Sequence, residues 1–196
     1  MIRKLKNLTV LLKAIETENM KTLAFFRHLL AMLFFAALQV MVCNRISLFG
    51  YATPFIYVWM ILRFDSFMSK GSVLLWSFLL GLSVDIFTAT PGLNAAAATL
   101  VGMLQPSFLE ISVRIDKHDV VRPSCASMGN SHFALYAFLL LFIHSLALFI
   151  LKDIPIDNWG TVILSAVGSS LLSFAIIFCL DLSFSRNKDR RYTSGL

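Results

Sequence analysis

Two stretches of this chain carry neither a formal charge nor a proline over nineteen or more residues, a length that matches a bilayer: residues 133–151, nineteen positions, and residues 160–180, twenty-one. A hydrocarbon layer about 30 Å thick needs about 20 apolar residues of helix to cross it. Inside that layer each peptide group must be satisfied by the chain itself, so uninterrupted apolar runs of this length read as helices. Four further runs follow the same rule, at about 22–42, 46–64, 71–88 and 92–111, with the last two uncharged runs taken as about 133–151 and 160–184. The expected fold is therefore an all-α membrane protein, a bundle of six transmembrane helices, with little chain left for a soluble domain.

Charge supports this and sets an orientation. Charged residues make up 14% of the chain, against about 25% in soluble domains, and the mean hydropathy is +0.77. The net charge of +6 does not imply nucleic acid, because the basic residues cluster at the ends of apolar runs. With the N-terminus inside, residues 1–21, 63–70, 112–132 and 185–196 hold fourteen Lys and Arg, and the outer loops hold two. That bias places both termini in the cytoplasm, and an even number of spans agrees by putting both on one side. The protein is expected to span a membrane with both ends on its cytoplasmic face.

The segments outside the spans are basic. Residues 1–21 place Leu5, Leu8, Leu12 and Ile15 at helical spacing among lysines. They read either as a basic amphipathic helix on the membrane surface or as sequence upstream of a start at Met20. The tail 185–196 reads as a basic anchor that touches membrane lipid, and the loop 112–132 as a polar connector. Tyr51, Tyr57 and Trp59 read as interfacial or packing aromatics.

The chemistry concentrates between Gly71 and Ile111. Asp85 lies in an apolar run, where a charge is costly and marks a candidate site. Gly81 stands one turn before it on the same face. A short connection, 89–91, forces the next span to return antiparallel, starting at Gly92. On that span Asn94, Ala98 and Gly102 form an i, i+4, i+8 stripe of small residues suited to close helix packing. Asn94 should then lie at the depth of Asp85, where its amide, or the backbone amides of the turn, can hold the carboxylate. Two roles stay open for Asp85: a buried cap that keeps the hairpin shut, which its place near the outer end of its helix favours, and a proton or ligand site.

Other polar residues have plainer expected roles. His144, midway along the fifth span, can pair with Asp85 in a polar pocket or bond a backbone carbonyl, and the second is preferred. Ser165, Ser169 and Ser173 read as a packing face, Pro106 as a bend, and Asp181 and Glu110 as interfacial residues without special function. Cys43, Cys125 and Cys179 lack metal or disulfide spacing. The chain has no Walker loop, no His/Cys/Asp/Glu cluster at ligand spacing and no GxSxG-like serine. The expectation is a protein that is not an enzyme and uses no metal or cofactor.

The segment FLLGLSVDIF (78–87), a short turn and then GLNA (92–95) resembles the rod shape-determining protein MreD, a family with a G-L-x-x-D segment followed by a glycine and a small-residue-rich helix. The plan of a short chain with six spans and both ends inside is also similar. The chain departs from that pattern at Gln105-Pro106, where a basic residue before proline is expected, and in its longer leader. The resemblance implies a non-enzymatic component of the bacterial elongation complex that binds MreC. Through MreC it would meet MreB, a penicillin-binding transpeptidase and a RodA-type glycosyltransferase. The architecture is similar, too, to the substrate-binding S-components of energy-coupling-factor vitamin transporters, which implies a second function, the binding of a small molecule. The first implies that Gly81, Asp85, Gly92, Asn94, Ala98 and Gly102 form a structural hairpin or partner site.

Overall fold

A computed structural model describes residues 2–43, 52–66, 68–112, 122–155 and 158–193. Among the described residues there are seven helices and no sheet: α1 (Ile2–Met41), α2 (Val58–Leu62), α3 (Lys70–Thr88), α4 (Leu93–Ser112), α5 (Cys125–Met128), α6 (Asn130–Lys152) and α7 (Trp159–Thr193). Three stretches, Lys70–Thr88, Asn130–Lys152 and Trp159–Ser183, are long and apolar enough to cross a membrane, and Phe25–Met41 of α1 is a shorter apolar stretch. This is a multi-pass membrane protein. α4 is of spanning length but more polar, with Asn94, Gln105 and Glu110 inside it.

The long helices pack in the order α1, α3, α4, α6, α7, and α2 touches α1, α4 and α6. Large apolar side chains point outward at many positions, among them Leu30, Phe34, Met103, Leu135 and Leu171. In water so much exposed apolar surface would drive association; facing lipid it is in its proper solvent. α1 continues through the expected leader into the first apolar stretch without a break. The side chains of Leu5, Leu8, Leu12 and Ile15, on which the interfacial reading rests, lie outside the described residues, as do residues 113–121 of the connector.

The second expected span, 46–64, is not a continuous helix, which corrects the six-helix reading. Residues 44–51, with Tyr51, lie outside the described residues; 52–57 are non-helical, and only α2 is helical. The local cause is Pro54. It has no N–H to donate and disfavours helical geometry at Thr53, and Thr53, Ile56 and Tyr57 suit extended chain better than helix. Non-helical backbone among buried apolar side chains must still find hydrogen-bond partners, and here side chains of neighbouring helices supply them. Ser169 and Ser173 of α7 accept from the Thr53 and Phe55 amides at 3.0 and 2.8 Å. Gln39 of α1 donates to the Pro54 carbonyl at 2.9 Å and accepts from the Ile56 amide at 3.0 Å. Beyond α2, Tyr136 donates to the Leu62 carbonyl and Gln105 to that of Phe64, at 3.1 and 3.3 Å. Ser169 and Ser173 are thus hydrogen-bond partners as well as packing residues.

Candidate functional site: a clasped hairpin and a buried polar chain

The α3–α4 hairpin is built around a tight turn. Ala89 ends α3 in a left-handed conformation (φ 53°), and its amide returns to the Asp85 carbonyl. Pro91 follows two residues later and cannot extend the helix. Gly92 has φ +79°, a value that a side chain would strain. A Cβ there would meet nothing within 4 Å, so backbone conformation rather than space accounts for this glycine.

Asp85 is 2% exposed. Its Oδ1 accepts from the Thr90 hydroxyl at 2.5 Å, the Asn94 backbone amide at 3.0 Å and the Asn94 side-chain amide at 2.9 Å. Its Oδ2 accepts from the Ala95 amide at 2.8 Å. The first amides of a helix have no partner within it, and the helix dipole favours negative charge there. Asp85 therefore caps α4 from the end of α3, joining the two helices with charge-assisted hydrogen bonds.

Close packing makes that geometry reachable. A Cβ on Gly81 would lie 2.5 Å from the Asn94 carbonyl oxygen and 2.6 Å from the Ala95 Cα. Further down, a Cβ on Gly102 would collide with the Ser77 side chain. Ala98 is fully buried and falls between these two contacts on the α4 stripe. Gly81, Asn94, Ala98 and Gly102 thus share the α3–α4 contact with Asp85, while Gly92 belongs to the turn.

His144 joins this group by a route different from either expected one. Among the described residues it bonds neither Asp85 nor a backbone carbonyl. Its Nε2 lies 2.6 Å from the Tyr57 hydroxyl, and that hydroxyl donates to Asn94 Oδ1 at 3.2 Å. Because Tyr57 has one proton to give, its bond to Asn94 assigns the Nε2–H tautomer to His144, which then donates to the Tyr57 oxygen. A directional chain results: His144 to Tyr57, Tyr57 to Asn94, Asn94 to Asp85. Tyr57 and His144 are fully buried. The Phe55 ring packs on His144 with centroids 5.1 Å apart, and among the described residues His144 Nδ1, Ser145 Oγ and Ser77 Oγ have no hydrogen-bond partner. Tyr57 is therefore a core residue tied into the polar chain, not an interfacial aromatic.

A second polar cluster lies beyond the other end of α2. Asp181, fully buried, pairs with Arg63 and accepts from the Cys125 amide at 2.7 Å. Arg63 also lies over the Trp59 ring, 5.5 Å from its centroid, and Arg122 pairs with Asp65 at 2.8 Å. Burial, and then the adjoining Asp181 carboxylate, push the Cys125 thiol up to about 12, so it remains protonated and unreactive at neutral pH. Asp181 is thus a buried anchor rather than an interfacial residue.

Sequence reasoning missed Tyr57, Gln39, Arg63 and Asp181 as parts of polar networks. Gln39 and Asp181 were the readable signals, since a polar group inside an apolar run needs a partner. Among the described residues no cluster of three or more His, Cys, Asp or Glu could hold a metal. No family model, curated protein or solved structure matches the chain.

Proposed function

We propose that this protein is a non-enzymatic scaffold of the bacterial elongation complex, of the MreD type, whose α3–α4 hairpin forms part of the contact with an MreC-like partner. In this reading the broken segment 52–62 counts as the second of six crossings and both termini are cytoplasmic, in keeping with the distribution of Lys and Arg. The turn of the hairpin then faces the periplasm.

The observation that carries the proposal is the clasp. Asp85 points inward and fixes the turn, while the next two residues, Ile86 and Phe87, are 69% and 63% exposed. A rigid turn carrying two outward apolar side chains suits a partner that docks at the membrane surface or along the outside of the bundle. MreC would connect the hairpin to MreB, the transpeptidase and the RodA-type glycosyltransferase, which this chain need not touch. The alternative, a vitamin-binding S-component, calls for polar groups free to meet a ligand. Asp85, Asn94 and Tyr57 are bound to one another, and Tyr136 is committed to the Leu62 carbonyl, which favours the scaffold.

The test is co-purification of a tagged MreC-like protein from host membranes. Phe87→Ser and Ile86→Ser, both at exposed positions, should fold normally and lose most of the partner. Retention of the partner by both variants refutes the hairpin contact. Depletion should give rounded cells with delocalised wall synthesis, whereas a vitamin requirement, or a thermal shift with a vitamin, supports the S-component reading instead.

A further inference from the structure

At the basic end of the bundle, away from the α3–α4 turn, a cavity of about 370 Å³ opens between α1 and α2. Arg27, His28, Arg63, Asp65 and Arg122 form its polar wall, and Phe35 and Trp59 are among its apolar residues. Arg63 pairs with Asp181 and Arg122 with Asp65, while Arg27 is exposed and forms no ion pair among the described residues. Among the described residues, three guanidiniums there stand against two carboxylates. The paired arginines also keep donors to spare: a guanidinium has five N–H groups, and Arg122 uses its Nε and Arg63 one terminal nitrogen. The planar fork of arginine suits phosphate oxygens.

We infer that this cavity binds the phosphodiester headgroup of an anionic phospholipid, with the acyl chains lying along α1. Two observations choose a lipid over a soluble anion. Arg27 sits near the start of the apolar stretch Phe25–Met41, the level at which headgroups meet the hydrocarbon. Beside it, Phe26, Leu30 and Phe34 recur every four residues and are exposed, forming an apolar track at helical spacing that a soluble phosphate would not use. The excess of guanidinium over carboxylate among the described residues favours an anionic lipid over a zwitterionic one, whose ammonium group would meet the guanidiniums.

The test uses the full-length protein in nanodiscs holding equal parts of phosphatidylglycerol and phosphatidylcholine. Retained lipid is counted by native mass spectrometry after transfer to detergent. The wild type should retain phosphatidylglycerol in preference to phosphatidylcholine. Arg27→Gln and Arg122→Gln, both at exposed side chains, should each lower the retained phosphatidylglycerol about fivefold while leaving the thermal unfolding midpoint within the scatter of the wild type. Lys70→Gln, an exposed basic residue outside the cavity wall, should retain as much as the wild type. Equal retention of both lipids overturns the inference, as does normal retention by the two arginine variants. An equal loss in Lys70→Gln would also overturn it, by showing diffuse surface charge. Displacement of the lipid by millimolar glycerol 3-phosphate or inorganic phosphate would assign the cavity to a soluble anion and overturn the lipid assignment.

Discussion

Gly81→Ala is the smallest perturbation that tests the clasp. The added methyl carbon would stand 2.5 Å from the Asn94 carbonyl oxygen, 2.6 Å from the Ala95 Cα and 2.7 Å from the Asn94 carbonyl carbon. All three atoms are backbone, so no side chain can rotate away. Ordinary contact needs about 3.4–4 Å between such atoms, and α3 and α4 must therefore separate by roughly 1 Å at this level. The atoms pushed away belong to the two residues whose amides donate to Asp85, at 3.0 and 2.8 Å. Overpacking of this kind costs about 1–3 kcal/mol. Stretching hydrogen bonds to a charged acceptor, each worth about 1.5–3 kcal/mol, adds part of that amount. A total of about 2–5 kcal/mol follows. For a chain of this size that corresponds to a fall in midpoint of roughly 5 °C or more, read by differential scanning fluorimetry in detergent. Gly71→Ala is the matched control, because a Cβ there meets nothing within 4 Å. In a helix, alanine in place of glycine should be neutral or stabilising by up to about 1 kcal/mol. A Gly81→Ala midpoint within about 1 °C of the wild type would show that the helices are not held at this separation, and the clasp would lose its basis.

Other predictions follow from the same contacts. Asp85→Asn should destabilise by about 1.5–3 kcal/mol, since its amide nitrogen would face either the Ala95 amide or the Asn94 amides as donor against donor; unfolding midpoints in the same assay decide. Tyr57→Phe should cost about 1–3 kcal/mol by leaving His144 Nε2 and Asn94 Oδ1 buried without a partner, and a double-mutant cycle with His144→Leu should return a coupling of at least about 0.5 kcal/mol. Arg63→Met should cost about 3–5 kcal/mol by stranding the Asp181 carboxylate; adding Asp181→Leu in the same chain should recover most of the loss. Cys125 should resist maleimide at pH 7–8 in the folded protein. Its folded thiol holds its proton more tightly than the unfolded one, so the associated stability is complete below about pH 9 and is lost as pH rises toward 12.

How far the sequence could be read depended on whether a residue answers to its neighbours in the chain or to distant ones. The apolar runs that became α3, α6 and α7 are local signals, and so is the turn at Ala89–Gly92, where a proline and a glycine limit the backbone within a few residues. The clasp was approachable because a three-residue connection leaves little choice about which α4 residues meet Asp85. The broken segment was not legible in the same way. Thr53-Pro54 is compatible with the first turn of a helix, and only the partners far along the chain, Gln39, Ser169 and Ser173, make a non-helical path affordable. His144 shows the same limit. Its partner is Tyr57 because that segment fills the centre of the bundle, and no spacing within α6 indicates it. Asp181 near the end of an apolar run looked interfacial, yet Arg63 and the Cys125 amide, 118 and 56 residues away, turn it into a buried anchor.

The placement of these polar bonds bears on what the bundle can do. The segment 52–64 is held at successive levels: by Ser169, Ser173 and Gln39 at its non-helical part, by Asn94 and His144 through Tyr57, and by Tyr136, Gln105 and Asp181 at its far end. These contacts come from α1, α4, α6 and α7, and Asp85 adds the tie between α3 and α4. A protein that carries a ligand by moving one group of helices against another needs at least one interface that can slide, and such interfaces are smooth and apolar or water-filled. Here a sliding motion around the central segment would break these buried hydrogen bonds, at about 1–3 kcal/mol for each group left unsatisfied. That rigidity fits the proposed scaffold better than a carrier that moves one group of helices against another. Hydrogen exchange offers a direct measure of it: the amides of Thr53, Phe55 and Ile56, though non-helical, should exchange as slowly as those in the middle of α6. Fast exchange at these three positions would show that the central segment opens on its own, and the case for a rigid scaffold would fail with it.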